Sequence, residues 1–306
     1  MGGSNNNFFD KNRSPESVAK KLHEEAQISA AEFDTTLAQM LNDLLVGYNN
    51  RNSDDIRQRL DDIKTALANK FLSSIDTLFG GSVAKHTYVD GLSDVDSLLI
   101  FEDEQGLTPD KLLIKIEDIL SEALDATTVQ HGNIAITVEY KDGPEIQLIP
   151  AVNNGGTIKI PDFENNAWAA IYPTRFSELL TDSNNKCSGK LVPTIKLAKA
   201  INATLPKQLQ LTGYHMEALG IMAFNDYDGA KTTSSMLPHF FQKASEIVLE
   251  PITDKTGQSV HIDDYLGEAS SEQRQMLSHT LKRLYTRMLN ASASGSKERW
   301  MELFGE

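Results

Sequence analysis

Apolar residues recur at helical spacing through Phe33, Leu37, Leu41, Leu44 and Tyr48, which predicts a long amphipathic helix running up to the polar stretch GYNNRNSDD. Upstream, Ser14 is placed to cap a helix that has Pro15 in its first turn, and residues 1–13 are polar and expected to be disordered. A second helix follows Ser53, with Ile56, Leu60, Ile63, Leu67 and Phe71 on one face. The period then shortens. One apolar run ends at Phe79 and another starts at Leu98; both read as strands, and the polar loop GGSVAKHTYVDGLSDVD lies between them. Thr108 and Pro109 open a further helix that buries Leu112, Leu113, Ile116, Ile119 and Leu120. IAITVEYKDGPEIQLIPAV predicts a hairpin around an Asp142-Gly143 turn. From about residue 166 onward helical patterns dominate, among them LVPTIKLAKAINATL and SSEQRQMLSHTLKRLYTRML. The pattern predicts an α+β protein with a seam near residue 175: a mixed-sheet half with long N-terminal helices over 14–175, and a mostly helical half over 176–306.

Composition narrows the function. Of 306 residues, 40% are apolar and 24% charged, ordinary values for a globular protein able to bury a sizeable core. Acidic residues outnumber basic ones 43 to 29, for a net charge of −14. Broad adhesion to DNA or to an anionic membrane needs the opposite balance, whereas a small basic pocket for a nucleotide does not. The single Cys187 has no internal partner, which fits a reducing, cytoplasmic setting, and one Cys with seven scattered His residues forms no zinc pattern. The start MGGSNNNFFDKN lacks the apolar core of a signal peptide and, with Asn6, the myristoylation pattern; no apolar run approaches the roughly 18 residues of a membrane helix.

The candidate chemistry lies in the loop before Leu98. On a strand, residues two apart share a face, so Asp94 and Asp96 would present both carboxylates to one point. Paired oxygen donors suit a hard cation such as Mg²⁺. Gly81 allows close backbone approach and Ser82 adds a hydroxyl, together a cradle for phosphate oxygens. Alone, a D-x-D is most often a solvated turn. Joined to GGS between two strands, with more acid on the later hairpin, it points to metal-assisted phosphoryl or nucleotidyl transfer.

GGSVAKHTYVDGLSDVD resembles the signature of the nucleotidyltransferase superfamily that holds poly(A) polymerases, oligoadenylate synthases and cyclic-GMP-AMP synthase. LVPTIKLAKAI, LTGYHMEALG and TGQSVHIDDYLG narrow the resemblance to the bacterial CD-NTases, the oligonucleotide cyclases of CBASS anti-phage defence. The resemblance implies a polymerase beta-like core, a helical substrate-binding lobe and an active site in the cleft between them. It also implies that a hydroxyl attacks the α-phosphorus of an NTP, pyrophosphate leaves, and repetition closes a cyclic di- or trinucleotide. Carried over by position, Gly81 and Ser82 hold the donor triphosphate, and Asp94 and Asp96 bind two Mg²⁺ ions, for which Mn²⁺ can substitute. Lys196 matches a phosphate-contacting lysine and Tyr214 an aromatic that stacks on a base. Thr212 would supply a nearby hydroxyl, and the loop around Ser259 would contribute to base choice. The family's third acid stands three residues before a proline. Pro150 puts Gln147 there, a neutral oxygen donor. Glu145, two residues earlier and about 7 Å away on the same strand face, is the residue that would restore the charge.

Several readings stay open beside cyclic-nucleotide synthesis. One is nucleotidyl transfer to tRNA or a protein, which the net charge of −14 disfavours for tRNA. Another is a catalytically weak nucleotide-binding scaffold, which Gln147 favours. Activation by double-stranded DNA is not expected, because the chain lacks the zinc insertion and basic face of the animal DNA sensor of this fold. Expected partners are NTPs, ATP among them, and regulatory proteins encoded in the same operon. The acidic pair Asp263–Asp264 reads as structural. In ERWMELFGE, Trp300 and Phe304 share a helical face and are expected to pack on the helical half.

Overall fold

The computed structural model describes residues 15–49, 53–71, 75–79, 87, 95–102, 106–124, 128–132, 135–141, 145–162, 167–254 and 262–306. In chain order its elements are α1 (Pro15–Tyr48), α2 (Ser53–Phe71), β1 (Ile75–Phe79), β2 (Val95–Phe101), α3 (Pro109–Ala123), β3 (Thr128–His131), β4 (Ile136–Glu139), β5 (Ile146–Asn154), β6 (Thr157–Asp162), β7 (Ala167–Ile171), α4 (Pro173–Lys186), α5 (Leu191–Ala203), α6 (Gly213–Ala223), α7 (Thr233–Ile247), α8 (Glu272–Ala293) and α9 (Lys297–Met301). Short 3-10 turns occupy Lys207–Leu209, Asp264–Leu266 and Glu302–Phe304. The disorder expected of residues 1–13, the Ser14 cap and the Asp142-Gly143 turn lie outside the described residues.

β5 is the axis of a seven-stranded sheet. It pairs in parallel with β2 from Ile146 to Val152, and antiparallel with β4 on its other edge from Ile146 to Leu148. From Val152 onward that edge passes to β6. Pro150, which has no N–H to give, stands in the gap between the two antiparallel partners. The predicted hairpin of β4 and β5 is present.

A strand buried on both faces reads as a nearly unbroken apolar run, and QLIPAV does. On one face Ile146, Leu148 and Val152, with Leu99 and Phe101 of β2, meet Leu60, Ile63 and Leu67 of α2 and Leu112, Leu113 and Ile116 of α3. On the other, Ile149 and Ala151 join Leu98, Ile100, Ile158, Ile160 and Ile171. The helical half has its own core, which takes in Trp300 and Phe304 as expected. It also takes in α1. Leu37, Met40 and Leu41 of that helix are buried against α5 and α7, not against the sheet that follows in sequence.

One reading is corrected. The helical character expected from about residue 166 begins only at Pro173, because Ala167–Ile171 pairs with β6 as an edge strand. AWAAI has good helix formers, and the available sheet edge overrides that weak preference. Gly220 shows how closely α5 and α6 approach: a Cβ there would stand 2.6 Å from Ile195 Cδ1.

Candidate active site

Leu98 and Ile100 of β2 lie on the sheet face away from α2 and α3. The register sets Asp96 beside Gln147 on β5, and Gln147 beside Thr137 on β4. Three polar positions are thus in register across three strands. Glu145 immediately precedes β5 and is half-buried. Its carboxylate Oε1 accepts a hydrogen bond from Gln147 Nε2 at 3.1 Å. The Gln147 amide therefore carries a neighbouring carboxylate with it. Gly81, Ser82, Asp94 and Ser259, and the side chain of Asp96, lie outside the described residues. Among the described residues, no three His, Cys, Asp or Glu side chains gather as a metal cluster.

Thr87, from the loop between β1 and β2, is fully buried. Its hydroxyl donates to Glu217 Oε1 of α6, and Lys199 Nζ of α5 donates to its carbonyl oxygen at 3.2 Å and to its Oγ1 at 3.3 Å. Lys199 and Glu217 are themselves an ion pair at 2.7 Å, with only 7% and 1% of their side chains exposed. These residues were not singled out from the sequence, although a signal was present. In the buried helix α5, Lys196, Lys199 and Asn202 recur every three residues among apolar neighbours, and buried charges require partners. The structure gives them separate tasks. Lys196 donates to Asn49 Oδ1 at the end of α1, Lys199 meets the loop, and Asn202 bridges to the backbone of Leu211.

Thr212 is the N-cap of α6: its Oγ1 accepts from His215 N at 3.2 Å. Such a cap is worth about 1 kcal/mol. Tyr214, one residue into the helix, has its ring 4.6 Å from that of Phe176 on α4, and its hydroxyl donates to Asp254 Oδ1 at 3.1 Å. Phe176 and Asp254 thereby fix the ring that the resemblance assigns to a base.

Beneath this surface lies a buried polar chain. Asp263 accepts from Arg274 Nη1 at 2.6 Å and from Ile252 N at 2.9 Å. Arg274 also donates to the carbonyls of Val248, Glu250 and Gly267, so it ties those backbone positions to α8. Burial opposes ionisation of Asp263, yet the bonds from Arg274 and Ile252, with the attraction of His215 and Arg274, hold its carboxyl below the usual value. His215 Nδ1 pairs with the Tyr265 hydroxyl at 2.9 Å. Burial pulls His215 down to about 4, against an upward pull from Asp263 and with a further push from Arg274. The imidazole is neutral at pH 7. Asp263 is thus structural, as the sequence suggested, while Asp264 is exposed at the start of a 3-10 turn.

The Second Messenger Oligonucleotide or Dinucleotide Synthetase domain matches residues 32–184, half of the chain, and the protein belongs to that family. Its fold is the polymerase beta-like α+β fold of the CD-NTases. CdnG of Bradyrhizobium diazoefficiens, solved with GTP, is similar at TM-score 0.70 and 14% identity, with 87% of this chain and 94% of that one covered. The STING-associated c-di-GMP synthase CdnE of Capnocytophaga granulosa is similar at TM-score 0.58 and 17% identity, over 76% of this chain and 80% of that one. CdnC of E. coli MS115-1, in complex with HORMA-deltaN, is similar at TM-score 0.60 and 14% identity, over 85% and 93%. No curated protein matches the sequence at a significant level. No helix among the described residues is long and apolar enough to cross a membrane.

Proposed function

We propose that the chain is a nucleotidyltransferase that condenses nucleoside triphosphates, ATP among them, into a cyclic di- or trinucleotide with release of pyrophosphate. The observation that carries this reading is the register that sets Asp96 beside Gln147 on parallel strands, with the Glu145 carboxylate 3.1 Å from Gln147 Nε2. Negative charge is supplied beside the position where the family's third acid is missing. Family membership and the GTP held by the similar CdnG support purine triphosphates as substrates.

In this reading Gly81 and Ser82 hold the donor triphosphate, and Lys196, Thr212, Tyr214 and Ser259 complete the nucleotide site. Asp94, Asp96 and Glu145, with the neutral oxygen of Gln147, form an oxygen-donor set suited to two Mg²⁺ ions or to Mn²⁺. Bound there, the cations would offset the triphosphate charge and favour deprotonation of the attacking hydroxyl. The product serves as a signal in bacterial anti-phage defence, under the control of a protein partner. The STING association of the similar CdnE and the HORMA-deltaN complex of the similar CdnC support that assignment.

The test is incubation with Mg²⁺ or Mn²⁺ and labelled NTPs, with mass spectrometry of the product. A phosphatase-resistant cyclic product is expected, and none from the double variant Asp94→Asn, Asp96→Asn. Product from that variant would refute the site. Gln147 favours a second reading, a nucleotide-binding scaffold with little turnover. That reading predicts calorimetric binding of NTPs with no pyrophosphate release.

A further inference from the structure

The β1–β2 loop carries Gly81 and Ser82 at its start and Asp94 at its end, with Thr87 between them. A loop that bears both phosphate-holding and metal-holding residues must be fixed if those groups are to act together. Thr87 is where that fixing is visible. It belongs to the sheet half by sequence, yet it is fully buried, and its partners Lys199 and Glu217 both come from helices of the other half. Its hydroxyl and its carbonyl are both engaged, the first by both members of the ion pair and the second by the lysine. A buried ion pair is a poor device for stability alone, because desolvation offsets most of its attraction. What this pair supplies is a directional hold on one backbone position of the loop.

We propose that Thr87, Lys199 and Glu217 form a buried latch that positions the β1–β2 loop for triphosphate binding. All three are positioning residues. The role rests on the nucleotide reading above, and it adds residues that the family resemblance did not assign in this chain.

Thr87→Val is the decisive variant, since it keeps size and branching, leaves the Lys199–Glu217 pair intact and removes only the hydroxyl. Thr87→Ser keeps the hydroxyl and serves as the rescue. Hydrogen exchange in the nucleotide-free protein is read on peptides spanning residues 80–94, with those of α5 and α6 as internal controls. Binding of a non-hydrolysable ATP analogue is then read by calorimetry, and KM and kcat by pyrophosphate release. In Thr87→Val the loop should exchange faster while α5 and α6 do not. Analogue affinity should fall about tenfold, the scale of a hydrogen bond to a charged group, with KM rising more than kcat falls. Thr87→Ser should restore all three. Loop exchange that Thr87→Val leaves unchanged would overturn the latch, whatever the protein synthesises. Faster exchange with unaltered affinity would overturn its positioning role. Wild-type protein that binds neither ATP nor GTP analogue, with the loop still loosened by Thr87→Val, would instead strike the nucleotide reading.

Discussion

Arg274 Nη1 lies 2.6 Å from Asp263 Oδ2, and neither side chain meets solvent. Removing one member strands the other as a buried charge. Asp263→Asn or Arg274→Met should therefore cost about 3–5 kcal/mol of stability, read as a lowered denaturant midpoint. Glu268→Gln, at an exposed position of the same segment, should change it by less than about 0.5 kcal/mol. Equal effects of Asp263→Asn and Glu268→Gln would refute the assignment of Asp263 as a strut.

His215 makes that region sensitive to acid. Its folded-state value is about 4, against 6.5 for an ordinary imidazole. Between those values the unfolded chain binds more protons, so stability falls as the pH falls, by at most about 1.4 kcal/mol per pH unit. Asp263 adds a further loss below its ordinary value of 3.8, where its lowered carboxyl still resists protonation. Denaturant midpoints at a series of pH values should show a decline below pH 6.5 that is shallower in His215→Gln. An identical slope in the variant would count against a buried neutral imidazole.

Glu145 and Gln147 should not behave alike. If Glu145 supplies the missing charge, Glu145→Gln removes it and should lower kcat by about 10²-fold, on the scale of an electrostatic group at a reacting phosphate. Gln147→Ala removes the bond that steers Glu145 and should cost about tenfold. Full turnover by Glu145→Gln in steady-state assays would end the compensation idea.

Tyr214 separates stacking from hydrogen bonding. Tyr214→Phe keeps the ring beside Phe176 and removes the hydroxyl that bonds Asp254, so nucleotide affinity should change little if stacking is what the residue supplies. Tyr214→Ala should weaken it by about 1–3 kcal/mol, the worth of one base stacked on an aromatic ring. Calorimetry with an ATP analogue gives both values.

Gly220→Ala is a test of sign. Within a helix, alanine is favoured over glycine by about 1 kcal/mol. At Gly220, however, the new methyl would meet Ile195 Cδ1 at 2.6 Å and Cγ1 at 2.8 Å, and overpacking a closed core costs about 1–3 kcal/mol. The substitution should be destabilising. A raised thermal midpoint would show that α5 and α6 can part more easily than their packing indicates.

Periodicity made much of this fold legible. The apolar face Leu60–Ile63–Leu67–Phe71 and the cluster from Leu112 to Leu120 are buried as their spacing predicts. The hairpin of β4 and β5 followed from alternation and a turn signal. β7 was not legible, because an edge strand takes its conformation from its neighbour and AWAAI states no strong preference. The packing of α1 was not legible either: an amphipathic face shows that it will be covered, not by what. For the proposed site, motif spacing singled out Asp96, Gln147 and Tyr214 as candidates. The contact between Glu145 and Gln147 was inferable from their shared strand face. The latch was not, since it joins residues more than a hundred positions apart, and only the unusual lysines of a buried helix hinted at it.

The burial of Leu37, Met40 and Leu41 against α5 and α7 has a mechanical consequence. The polypeptide leaves the helical half after α1, builds the whole sheet, and returns at α4, whose Leu180 lies in the helical core. Two covalent tethers therefore span the halves. The sheet is thus held to the helical half by the chain at both of its ends, so any rotation of one against the other is constrained at two points rather than one.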